Sequence, residues 1–194
     1  MALMRQLFPA VLLMVGACSA PTETSWRHGD WPVWGGDSAG TKYSPLDQIQ
    51  RENIGDLEVA WSWHPKEKPI PGPRQPVPGK DVRPGAFEGT PLVIDGVMYL
   101  STPYNRVVAL ESQSGKEIWA FDPKTYEWGQ PPNGTGFVHR GVAVWRGREG
   151  TRIFLNTRWR LIALDAATGL PVADFGSNGE IDLTEHLLWR STHR

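Results

Sequence analysis

From Pro91 onward the chain alternates short apolar runs with turns rich in Gly, Asp and Ser, and it does so twice in the same order. Val107-Val108-Ala109-Leu110-Glu111-Ser112-Gln113-Ser114-Gly115 is answered by Leu161-Ile162-Ala163-Leu164-Asp165-Ala166-Ala167-Thr168-Gly169, with Ala109 and Ala163 54 residues apart. A spacing just above the ~40–50 residues of one propeller blade predicts antiparallel four-stranded blades set side by side. In the first unit, Pro91–Ile94 and Val97–Leu100 flank Asp95-Gly96, a two-residue hairpin signal. Arg106–Leu110 and Lys116–Phe121 are its third and fourth strands. In the second unit the predicted strands are Gly141–Trp145, Thr151–Asn156, Trp159–Leu164 and Leu170–Phe175. The fold class is therefore all-β, a partial β-propeller of about two four-stranded blades. Two blades do not close a ring, so the sequence is expected to be the N-terminal part of a larger propeller.

Upstream, Leu57–Trp63 alternates apolar and polar residues and is a strand candidate. Seven prolines between Pro65 and Pro84 exclude a central strand there and predict a long surface excursion. Gly129–Gly136 reads as a flexible loop between the units. The leader apart, no segment has a convincing helical period.

Composition adds three points. Trp is abundant, at 10 residues, which suits packing on strand surfaces. A formal charge of −1 gives no general attraction to nucleic acid, and no nucleic-acid partner is expected. Cys18 is the sole cysteine, so no disulfide forms within the chain. Residues 1–17 have a basic Arg5 and a short apolar stretch, the pattern of a signal peptide, and residues 18–30 read as a tether before a domain at 31–194.

Val15-Gly16-Ala17-Cys18 resembles the lipobox of bacterial lipoproteins. That resemblance implies cleavage before Cys18 and lipid attachment to it. With Ser19 next, it also implies a periplasm-facing protein anchored to the outer membrane. A plain signal peptide with an incidental cysteine is the alternative.

Four passages together resemble the pyrroloquinoline-quinone (PQQ) dependent dehydrogenases, the quinoprotein alcohol and sugar dehydrogenases. Trp34–Leu46 resembles the family's opening segment and Phe87–Val93 its first PQQ-contact strand. Ala109–Trp119 resembles its tryptophan-docking repeat, and Val138–Ala143 the segment beside the quinone. The resemblance implies an eight-bladed quinoprotein-type ring and a cofactor, PQQ. It also implies a calcium ion whose ligands are expected beyond residue 194, with the catalytic base. The implied reaction is oxidation of a sugar, polyol or alcohol, with electrons leaving to a quinone or cytochrome.

Glu88 and Arg140 match a carboxylate and an arginine that the family uses to hold PQQ. The chemistry agrees, because PQQ is a planar tricarboxylate and a guanidinium fork pairs bidentately with carboxylates. Read from the residues alone, Glu88 is an ordinary solvated acid and Arg140 one of several arginines at exposed strand ends. His139, the third candidate cofactor-binding residue, is equally a hydrogen-bonded strand histidine. Many alcohol-oxidising members carry two adjacent cysteines where this chain has Gly134 and Thr135. With His139, that departure resembles the membrane-associated glucose dehydrogenase-like branch and favours a polyol or sugar. A different function class stays open here, a non-catalytic propeller lipoprotein scaffold of the outer-membrane assembly type.

Overall fold

In the computed structural model, which describes residues 26–71, 81–185 and 187, two four-stranded antiparallel sheets lie face to face. The expected leader, Cys18 and most of the expected tether lie outside the described residues. Strands β1 (Ile70–Pro71) and β2 (Asp81–Val82) form a small ribbon. Strands β3 (Leu92–Ile94), β4 (Val97–Ser101), β5 (Val107–Glu111) and β6 (Glu117–Phe121) form the first sheet in chain order. The second sheet is β7 (Ala143–Gly147), β8 (Gly150–Thr157), β9 (Arg160–Asp165) and β10 (Glu180–Asp182), again in chain order. Helical structure among the described residues is limited to single 3-10 turns at Ile54–Asp56 and Thr125–Trp128.

The apolar pattern explains the layering. Strand β5 is apolar at four consecutive positions because both of its faces are covered. Val107 and Ala109 face the second sheet, packing with Ile153, Leu155, Ile162 and Leu164. Val108 and Leu110 face the other way, onto Trp61 and Trp63. The hairpin between β3 and β4 has the predicted turn, with Asp95 at φ 51° and Gly96 at φ 80° between the paired Ile94 and Val97.

The sheets are joined by an indole seated on a turn. Trp119 Nε1 donates to the Ala166 carbonyl at 3.0 Å, and the Tyr99 hydroxyl reaches the same oxygen at 3.1 Å. The indole lies flat on Gly169, where a Cβ would stand 2.5 Å from the ring. The first sheet receives the same contact from upstream: Trp61 Nε1 donates to the Ser112 carbonyl at 3.1 Å and its ring covers Gly115. Gly115 and Gly169 both have positive φ, 68° and 71°, in turns with matching backbone bonds.

Three expectations change. Leu57–Trp63 has no ladder partner among the described residues, and Val59 is 83% exposed. Its alternation reflects the two tryptophans on the first sheet rather than strand pairing. Leu170–Phe175 is not the fourth strand of the second unit. It starts as one, with Asp165 N–H donating to Leu170 O and Val172 N–H to Ala163 O. Pro171 pairs opposite Leu164 with its nitrogen facing away from β9, but after Val172 the chain turns, with Phe175 N–H donating to Val172 O, and Glu180–Asp182 takes the edge opposite Arg160–Ile162. Finally, the proline-rich excursion is pinned inward at both ends. Val82 is fully buried, and the Glu67 carboxylate accepts from the Thr102 hydroxyl and the Tyr104 amide.

Two outcomes follow from this packing. Gly169→Ala is expected to destabilise the chain by about 2–4 kcal/mol in chemical denaturation, through lost indole seating and strain at positive φ. Gly150→Ala also strains a positive φ but meets open space, so it should cost clearly less. Because the described residues leave the β6 and β10 edges and the exposed Tyr43, Leu46, Ile49 and Ile54 uncovered, the purified chain should self-associate with concentration in light scattering. A monodisperse monomer with one sharp unfolding transition would contradict this.

Candidate functional site

The two sheets meet edge to edge where their first strands begin. Thr90 and Gly141 form a parallel bridge, and the Thr90 amide donates to the Arg140 carbonyl at 2.9 Å. The approach is close enough to require glycine: at Gly141, with φ +141°, a Cβ would stand 2.8 Å from the Thr90 carbonyl oxygen. Parallel inner strands place the residues just before them at one end of the molecule. Glu88 and Arg140, 52 positions apart in sequence, accordingly form an ion pair there, with Nη1 to Oε2 at 3.1 Å.

The Arg140 side chain is 80% exposed and that of Glu88 41%. Exposed pairs are worth about 0–1 kcal/mol, so the backbone crossing, not this pair, fixes the geometry. The guanidinium keeps donor capacity beyond its ion pair with Glu88.

Beside the pair lies a cleft of about 310 Å³. Leu92, Val142, Phe154 and Leu161 give it apolar walls, Trp34 stands at its side, and His139 and Arg140 supply polar groups. Lys42 lies 4.6 Å over the Trp34 ring. Arg140 is thus set against an apolar cleft, an arrangement suited to a flat, anionic molecule.

His139 is half-buried, and both ring nitrogens are engaged. Nε2 lies 2.7 Å from the Asn156 carbonyl, and Nδ1 lies 2.9 Å from Ser101 Oγ and accepts from the Gly141 amide at 3.2 Å. This pattern fixes a neutral ring protonated at Nε2, donating to Asn156 and accepting at Nδ1. Burial pushes the imidazole below its ordinary pKa, with the bond to Asn156 opposing.

The structure brings Glu88, Arg140 and His139 to one end of the molecule. Gly134 and Thr135 sit in an exposed loop closed by the Gly136 amide donating to Asn133 Oδ1 at 2.9 Å. Trp34, Phe154 and Asn156 were not singled out from the sequence as cleft residues. Asn156 acts through its backbone carbonyl, for which no residue type is a signal, and Trp34 comes from a segment far upstream of the blades. Cys18 lies outside the described residues.

Residues 31–193 match the family described as PQQ: Glucose/ethanol/alcohol dehydrogenase, beta-propeller domain. The chain is 38% identical over 154 residues to the quinohemoprotein alcohol dehydrogenase of Comamonas testosteroni, covering 75% of this chain and 18% of that protein. It is 29% identical over 180 residues to quinoprotein glucose dehydrogenase A of Acinetobacter calcoaceticus, covering 81% of this chain and 21% of that one. The crystal structure of the Comamonas testosteroni enzyme superposes with a TM-score of 0.56 at 34% identity, covering 81% of this chain and 20% of the other. The chain spans about a fifth of the length of these relatives. With its two blades, its docked indoles and its match over residues 31–193, the chain belongs to the PQQ-dependent quinoprotein dehydrogenase family of β-propellers.

Proposed function

We propose that these residues form part of a PQQ-dependent dehydrogenase that oxidises a sugar, polyol or alcohol at a CH–OH carbon and passes the electrons to a quinone or cytochrome. The observation that carries the reading is the Glu88–Arg140 pair, held by the inner-strand crossing beside an apolar cleft.

The residues fit the cofactor. A planar tricarboxylate needs a cation with donors to spare and a flat apolar wall, and Arg140, Leu92 and Phe154 supply them. Glu88 would repel an anionic ligand were it alone, and the guanidinium at 3.1 Å offsets that charge. When bound, PQQ supplies the two-electron acceptor for the oxidation. Within this chain, Arg140 would hold a carboxylate of the cofactor, Glu88 would balance part of its charge and accept a hydrogen bond, and the apolar walls would exclude water. No group of three or more His, Cys, Asp or Glu side chains able to hold a metal occurs among the described residues. Calcium therefore rests on the family resemblance alone.

On substrate, the relatives named above include an alcohol and a glucose dehydrogenase. Gly134 and Thr135 in place of an adjacent cysteine pair favour the polyol or sugar side. The scaffold alternative gains nothing from these relatives, both of which are dehydrogenases.

The direct test replaces the matching segment of the Comamonas testosteroni enzyme with residues 31–193 and follows PQQ reconstitution and substrate oxidation. PQQ-dependent turnover is expected, and Arg140→Ala should weaken PQQ binding about ten- to hundredfold, the equivalent of one charge-assisted hydrogen bond. Glu88→Gln should slow turnover more than it lowers the melting temperature. A folded hybrid that takes up no PQQ would refute the reading.

We further infer that residues 1–17 are a lipoprotein leader and that Cys18 carries the lipid that anchors the protein, periplasm-facing, to the outer membrane. The lipobox-like Val15-Gly16-Ala17-Cys18 supports this. Cys18→Ser should move the protein from the membrane fraction to the soluble one and remove the acyl mass at the mature N-terminus. An unacylated Cys18 in the wild-type protein would end the idea.

A further inference from the structure

We propose that His139 is a positioning residue, a neutral cross-strut between the two sheets that holds Arg140 and Glu88 at the mouth of the cleft. The proposal deepens the cofactor reading above and rests on it only for the purpose of the held pair.

The argument starts from what the ring touches. Its Nδ1 side meets Ser101 at the end of β4, a residue only 1% exposed, and its Nε2 side meets the Asn156 carbonyl near the end of β8. One ring therefore spans the first sheet and the second. With Asn156 accepting at Nε2, and Gly141 and Ser101 satisfying Nδ1, no ring nitrogen is left for a ligand. The neighbouring residue is Arg140, whose carbonyl accepts from Thr90 two positions beyond Glu88. The strut thus fixes the peptide at 139–141 from one side and the Thr90 bond fixes it from the other. The Glu88–Arg140 ion pair, too exposed to set its own geometry, takes its direction from both.

The inference separates His139 from Arg140: the arginine faces the ligand, and the histidine acts through it. Two measurements test this, the first on the full chain and the second on the hybrid enzyme. The first needs no cofactor. His139→Phe keeps a ring of similar size and loses both nitrogens, and it should speed amide exchange at Thr90 about tenfold relative to Leu110 in the core. His139→Gln, which retains an N–H donor for Asn156, should fall between Phe and wild type. Ser101→Ala provides a milder version should His139→Phe fold poorly. Equal acceleration at Thr90 and Leu110, or none at Thr90, would overturn the proposal.

The second measurement is a double-mutant cycle on PQQ affinity, read by tryptophan quenching. His139→Phe should weaken PQQ binding about tenfold when Arg140 is present and hardly at all in an Arg140→Ala background. The same loss in both backgrounds would show that His139 does not act through Arg140, and the proposal would fail while the cofactor reading stood. If Arg140→Ala left PQQ affinity unchanged, the cofactor reading would fail instead, and the exchange rate of Thr90 would still decide whether His139 holds the pair.

Discussion

The fold depends on one contact made twice: an indole laid on a glycine turn, with its N–H in a backbone carbonyl. Trp119 reaches from the first sheet to Ala166 and Gly169, and Trp61 reaches from the upstream segment to Ser112 and Gly115. A face-to-face stack of twisted sheets is held by non-directional burial and tolerates sliding. The Nε1 bond removes that freedom, because it is made at one register only. The glycine makes the bond possible, since any side chain there would hold the ring off the turn. The outer, fourth-strand position of one blade is thereby tied to the bottom of the next, and the repeat spacing is fixed at the rim.

Fixing the rim sets the inner edge. When the outer strands are registered, the first strands of adjacent sheets run parallel and close, and Gly141 lets Thr90 and Arg140 share a backbone bond. The site is a by-product of that crossing. Glu88 and Arg140 come from equivalent places in successive units, so the regularity of the repeat, rather than local attraction, brings opposite charges to one end. The cleft opens beside them because the inner strands supply Leu92, Val142 and, one strand further out, Phe154 as walls.

Much of this was legible in the sequence, and the reason lies in periodicity. Strands β3 to β9 match their predicted segments because each apolar run is bounded by residues that force a turn, and because the 54-residue repeat lets one unit check the other. The failures come where a local signal answers a non-local cause. Leu57–Trp63 alternates like a strand, yet its alternation records indoles resting on a sheet. Leu170–Phe175 repeats the start of β6, but the chain turns after Val172, and Glu180–Asp182 carries no sequence mark of its edge position. At the candidate site, Glu88, Arg140 and His139 were singled out through motif resemblance. The partners of His139 were not, because a backbone carbonyl and a lone serine leave no pattern.

The two ends of the sheets are held by different physics. At the end with the docked turns, large apolar rings do the work. At the cleft end, buried polar side chains cross between the sheets: Asn105 donates to the Phe137 carbonyl at 2.6 Å, Thr157 to Asn105 at 2.9 Å, and Thr125 meets Thr157 at 3.1 Å. Asn105, Thr125 and Thr157 are each at most 5% exposed. Such groups add little net stability when paired, about 0.5–1.5 kcal/mol each, but they are costly to leave unpaired. They therefore penalise wrong arrangements more than they reward the right one. An end that must present a charged pair in one direction gains from that asymmetry, since a purely apolar contact would allow the loop from Thr125 to Arg140 several packings of similar energy. The half-buried His139 crosses between the sheets beside them, and its place next to Arg140 is where the specificity of the polar end passes to the charge that faces the cleft.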